Sequence, residues 1–295
     1  MRARHVPPRV GDAPVVRRLL IAVVLVIGAL FILAPLIVIG VEAFSKGAGA
    51  YAAAIAHPDT RSAIFMSVVT ALIAVPINTG FGICAAWAIT KFDFPLRRLL
   101  LIVIEIPFSI SPIVAGVCYL FVYGLQGLFG PVLQDAGIKV LFALPGIVLA
   151  SMFVTAPFVA RELIPLMQAQ GRDLEEAATS LGASGLRTFF AVTLPNIKWA
   201  LLYGVVLCNA RVMGEFGAVS IVSGNIRGET NTLPLHIELL YHDYQTAGAF
   251  AAASILAVLA VFTIVAKVLL ERRGAGRVSP AAQATNQVSY NGVKP

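Results

Sequence analysis

A chain of 295 residues that is 58% hydrophobic and only 13% charged is too apolar for a soluble domain. Its net charge of +7 comes with no interleaved aromatic and basic surface, so no nucleic-acid partner is expected. The apolar residues gather instead into six runs, each near the roughly 20 residues that cross a bilayer core. Lipid offers the backbone no hydrogen-bond partner, so these runs must be helical. The predicted fold is an all-α integral membrane protein with six transmembrane helices over residues 18–273.

Residues 1–17 are rich in Pro and Arg and are expected to form a disordered end. The first run, 19–41, is longer than the apolar segment of a signal peptide. It is read as a retained anchor, although Ala48-Gly49-Ala50 has a small-x-small form. The second run is 63–89. The third, 99–122, contains Pro107 and Pro112, each of which removes an amide donor and disturbs the helix. Glu105 falls inside this run and is expected to face a bundle interior. The fourth run is 140–160, the fifth 199–221 and the sixth 247–270. A small, polar tail from 274 to 295 is again expected to be disordered.

Basic residues orient the bundle. Arg2, Arg4, Arg9, Arg17 and Arg18 precede the first run; Lys91, Arg97 and Arg98 separate the second and third. Arg161, Arg172, Arg187 and Lys198 lie between the fourth and fifth, and Lys267, Arg272, Arg273, Arg277 and Lys294 close the chain. The opposite side has Lys46, Arg61, Lys139 and Arg227. The positive-inside rule puts both termini, and the loop at 170–197, in the cytoplasm.

Several chemistries find no support. There is no phosphate-binding G-x-x-x-x-G-K-[ST] loop, no H-E-x-x-H and no G-x-S-x-G elbow. Cys84, Cys118 and Cys208 lack metal-ligand spacing and are read as packing residues. His236 and His242 are read as solvated loop histidines near Asp243. No cofactor and no catalytic residue is expected.

Two segments carry information about function. In the first, Asp173 is placed to cap a short helix, with Glu176 three residues on as in a capping box. Leu174, Ala177, Ala178 and Leu181 share one face of that helix. Gly182 falls where a positive φ closes a helix. Ser184 is placed to cap a second short helix carrying Leu186, Phe189 and Phe190, and Pro195 suits the first turn of the next membrane helix. In the second segment, Arg211 and Glu215 are spaced to pair on a helix inside the fifth run. Such a pair either fixes packing or lines an anion path.

The cassette Glu176-Ala177-Ala178, then Gly182, then Val192-Thr193-Leu194-Pro195, resembles the EAA loop of ABC-importer permeases, with Val192 in place of the usual Ile. Arg211-x-x-Gly214-Glu215-Phe216-Gly217, followed by Ser223-Gly224-Asn225-Ile226-Arg227-Gly228, is similar to the sulfate and molybdate branch. The wording Ile226-Arg227-Gly228 and the Leu239–Tyr244 stretch look most like the CysW-type sulfate/thiosulfate permeases. The resemblance covers roughly residues 15–272. It implies a type I importer permease in the inner (plasma) membrane. It also implies a cytoplasmic ABC ATPase in two copies, which binds the ATP, a second homologous permease and an external sulfate-binding protein. The coupling residues carried over are Asp173, Glu175, Glu176, Ala177, Ala178, Gly182 and Pro195. The translocation or gate residues are Arg211, Gly214, Glu215, Gly217, Ser223 and Asn225. Molybdate, tungstate and phosphate remain alternative cargoes, and a channel or secondary transporter remains the alternative class.

Overall fold

The computed structural model describes residues 14–275. The disordered ends expected at 1–17 and 274–295 lie outside this range, except that residues 14–17 and 274–275 are already helical. Helix α1 (Pro14–Gly28) passes through a π turn at Ala29–Leu33 into α2 (Ala34–Ala43), making one apolar stretch. None of its most apolar window is buried by the rest of the chain. Ala48–Ala50 do not form an extended cleavage site; they lie in α3 (Gly47–Ala56), a short helix in the loop.

The core forms around α4 (Pro58–Lys91), a single helix of 34 residues. It packs on α9 (Pro157–Gln170), which continues α8 (Leu144–Thr155) as one span, Leu144–Gln170. The third partner is α12 (Leu194–Met213). Between lipid-soluble helices there is little hydrophobic driving force, so close packing and interhelical hydrogen bonds hold the bundle. The sequence supplies both. A Cβ on Gly82 would stand 2.7 Å from Val159 Cβ, and one on Gly204 would stand 3.2 Å from Val159 Cα. Buried Asn78 donates to Met152 O (3.0 Å) and Thr155 Oγ1 (2.7 Å), tying α4 to α8. Among the cysteines only Cys208 packs into this core; Cys84 and Cys118 lie on the chain's surface.

The third apolar run is not one straight helix. It forms α5 (Arg97–Ser109) and α6 (Pro112–Tyr123), which meet at a bend of 108°. After α7 (Gly130–Asp135) and the α8–α9 span come α10 (Asp173–Ser180) and α11 (Gly185–Thr188). The fifth run is also misplaced by periodicity. Its helix starts earlier, as α11 continues through a π turn at Phe189–Thr193 into α12, and it stops at Met213. Residues 217–222 form a separate helix, α13 (Gly217–Val222), which packs on α6 and α8. Five stretches among the described residues are thus long and apolar enough to cross a membrane, and the bent pair makes a sixth if counted as one.

The loop before the last span is ordered by α14 (Leu233–His242), which leans on α15 (Thr246–Ala275). His236 is therefore not a solvated loop residue. It is buried and hydrogen-bonds Thr60 Oγ1 at 2.9 Å, and Ser67 Oγ accepts the Leu233 N–H.

Candidate functional site

The coupling-loop candidates occupy one end of the bundle, where α4 ends and α12 begins. Asp173 is the first residue of α10 and not its cap; Arg172 holds the cap position and no side chain bonds there. The Glu176 N–H bonds Arg172 O, so the reciprocal capping box is absent. The acids still complement the positive end of the helix, since Asp173, Glu175 and Glu176 all sit in its first turn. Glu175 does the anchoring. Its Oε1 lies 3.0 Å from Lys91 Nζ at the end of α4 and accepts from Thr193 Oγ1 at 3.1 Å. Lys91 is well shielded, and its ammonium also donates to Gly171 O.

Gly182 adopts φ +86°, as its position demands. Its N–H bonds Thr179 O while the Ala183 N–H bonds Ala178 O, the paired pattern that closes a helix with a left-handed residue. Ser184 takes the extended conformation before α11 but makes no side-chain cap bond. Pro195 falls in the first turn of α12, as expected, although α12 continues the helix before it. It lies two residues past the π turn, inside the continuous stretch Gly185–Met213. The wide turn, in which the Leu194 N–H reaches Phe189 O, eases a residue that has no N–H of its own. The consequence is mechanical, because the second half of the loop, from Gly185, and the α12 span form one continuous rod.

The face carrying Leu174, Ala177 and Leu181 is left uncovered by the chain. Leu181 is 90% exposed, and Leu186 and Phe190 are exposed beside it. Ala178, on the inner side, is half-buried.

The second group of candidates lies at the far end of α12, about 24 Å from Pro195 at 1.5 Å per residue. Arg211 and Glu215 pair as their spacing predicts, with Nη1 to Oε2 at 2.6 Å, but they do not lie within a continuing span. Gly214 ends α12, and Glu215 sits in the break. Glu215 is only 1% exposed. Its Oε1 accepts the Ala218 N–H at 3.1 Å in the first turn of α13. The approach of Arg211 does not meet hydrogen-bond geometry at Oε2, so that oxygen is held by charge. Gly217 allows α6 to approach, since a Cβ there would stand 3.0 Å from Pro112 Cβ. Ser223 and Asn225 close a local turn. The Asn225 N–H bonds Ser223 Oγ, Asn225 adopts φ 51°, and Thr230 Oγ1 donates to Ser223 O.

Sequence reasoning missed Lys91, whose only signal was a cation at the end of an apolar run. It also missed the environment of Arg161, which it placed in a loop.

Similarity to known proteins agrees with this layout. The family described as binding-protein-dependent transport system inner membrane component matches residues 78–275. The sulfate transport system permease protein CysW of Escherichia coli K12 is 53% identical over 254 residues, covering 86% of this chain and 87% of its own length. The Synechocystis CysW is 50% identical over 258 residues, 88% of this chain and 94% of that protein. Sulfate permease 2, chloroplastic, of Chlamydomonas reinhardtii is 46% identical over 260 residues, 88% of this chain and 70% of that protein. Among solved structures, a chain of the bacterial alginate ABC transporter bound to its periplasmic protein superposes with TM-score 0.72. It is 15% identical and covers 88% of this chain and 95% of that chain, which shows a shared fold.

Proposed function

Because the chain belongs to the family of binding-protein-dependent transport system inner membrane components, we propose that it is the permease subunit of an ATP-driven sulfate/thiosulfate importer. The names of its relatives support sulfate as cargo. In this reading the chain forms part of the translocation path in the inner (plasma) membrane, with both termini cytoplasmic. A second, homologous permease completes the path. Two copies of a cytoplasmic ATPase bind the ATP, and an external binding protein delivers the anion to the α3 and α14 side.

The observation that carries the reading is the open apolar face at Leu174, Leu181, Leu186 and Phe190, seated on a loop clamped to the bundle by Glu175. An ATPase subunit seated on that face would move the loop. Because the loop from Gly185 onward runs without interruption into α12, the displacement would reach the Gly214 break and α13. Coupling of this kind requires different contacts in two states of the permease. ATP closure at the loop supplies them.

Leu181→Asp tests it directly. The side chain is already exposed, so folding and membrane insertion should be unaffected. ATPase co-purification and sulfate uptake should both fall at least tenfold. Gly182→Val should do the same by another route, since a branched residue at positive φ costs about 1–2 kcal/mol while its Cβ meets nothing within 4 Å. Normal uptake by both variants at normal expression would refute the coupling role.

A further inference from the structure

Arg161 is not in the loop where its charge would be ordinary. It lies within the span Leu144–Gln170, about 13 Å along the helix from Gln170 at 1.5 Å per residue. Its guanidinium carbon stands 4.8 Å from the centre of the Phe108 ring. Phe108 is itself about 16 Å along α5 from Arg97, by the same rise per residue. Two separate routes along the chain therefore place this charge inside stretches long and apolar enough to cross a membrane.

Arg161 is exposed on the surface of the chain. Among the described residues no carboxylate forms an ion pair with it. Glu105, one turn back from Phe108 on α5, is exposed too and makes no such pair. Glu162 is the next residue of α9 and points elsewhere around the helix. Helical side chains lean toward the N-terminus, which in α9 is away from the Gln170 end. Arg161 reaches to the break between α5 and α6, where Ser109 and Ser111 are also exposed. An unpaired guanidinium facing lipid within a span is expensive, and such residues face a bundle interior or an aqueous path.

We propose that Arg161 is a substrate-contacting residue, with the face formed by Arg161, Phe108, Ser109 and Ser111 bordering the path of the transported oxyanion. Phe108 holds the guanidinium by the negative face of its ring, which orients a cation without neutralising it. The planar fork of donors stays available to a tetrahedral oxyanion passing the break. Arg211 is different, because its charge is already met by buried Glu215. This inference rests on the reading of the chain as an oxyanion importer.

The test uses cells carrying the complete importer, with labelled sulfate, thiosulfate, molybdate and phosphate supplied separately. Arg161→Ala should assemble with the other subunits and unfold at the wild-type temperature, yet take up the transported anion at least tenfold more slowly. Arg161→Lys should recover part of the rate, since it keeps the charge and loses the fork. Wild-type uptake by Arg161→Ala overturns the proposal. So does failure of both variants to assemble, which would mean that Arg161 pairs with a carboxylate of a neighbouring subunit. If the wild type imports another of the four anions and not sulfate, the sulfate assignment falls, and the variants are judged with that anion. Uptake of none of the four overturns both.

Discussion

Two apolar runs of this chain break, and an arginine stands beside each break. The third run breaks between Pro107 and Pro112, where α5 turns through 108° into α6. The fifth ends at Gly214, before α13. At the glycine break, Arg211 meets a carboxylate that is 1% exposed and that also holds the first turn of α13. At the proline break, Arg161 meets an aromatic ring and is otherwise open. After the breaks, the short helices α6 and α13 pack on one another through Gly116 and Gly217. The chain itself supplies the counter-charge of one arginine with a buried carboxylate, whereas in our proposal the arginine left open within a span is kept for something that arrives from outside the chain.

The largest test of this contrast is Glu215→Ala. It strands the Arg211 charge and removes the acceptor of the Ala218 N–H, and breaking such a pair costs about 3–5 kcal/mol. Thermal unfolding in detergent should show a large fall in stability. The exchange Arg211→Glu with Glu215→Arg should recover little of it, because arginine cannot accept the Ala218 N–H. Full recovery would mean that charge pairing alone holds the break.

A middle-sized effect is expected where the two half-helices touch. A Cβ on Gly116 would stand 2.8 Å from Ala218 O and 2.9 Å from Ile221 Cβ. Gly116→Val should therefore destabilise by about 1–3 kcal/mol, the usual range for overpacking. Gly80→Val, with nothing within 4 Å of its Cβ, should show no such clash. Equal losses in the two variants would count against a tight α6–α13 contact.

The smallest effect concerns a buried ionisable group that has no direct counter-charge. Burial holds His236 below its ordinary 6.5; nearby His57 and Arg227 push the same way, and Asp59 opposes them. That burial disfavours protonation of His236 in the folded protein. The unfolded chain binds that proton more readily, and stability should fall as the pH drops below about 6.5. His236→Gln should flatten the dependence of unfolding temperature on pH between about 7 and 5. An unchanged slope would show that His236 is not the group being titrated.

Hydropathy located the apolar stretches, though not the bounds of the fifth, because a bilayer demands long apolar helices whatever their neighbours are. Gly182 was legible for a similarly local reason: a helix must end there, and glycine accepts the left-handed conformation that the closing hydrogen bonds need. The Arg211–Glu215 pair was legible from its i, i+4 spacing. What escaped was decided between elements distant in sequence. Periodicity could not show that the fifth run stops at Met213, since Phe216 to Ile221 is as apolar as the helix before it. Prolines at 107 and 112 announced a disturbance but not a bend of 108°, which depends on α6 finding α13 to pack against. The clamp of Lys91 on Glu175 joins residues distant in sequence at one end of the bundle. Arg161 read as an ordinary loop cation until α8 and α9 joined into one span and set it beside Phe108. Local sequence sets which segments become helical and where they can turn; the cost of burying or stranding a charge is set by its neighbours in space, which only the packed chain brings together.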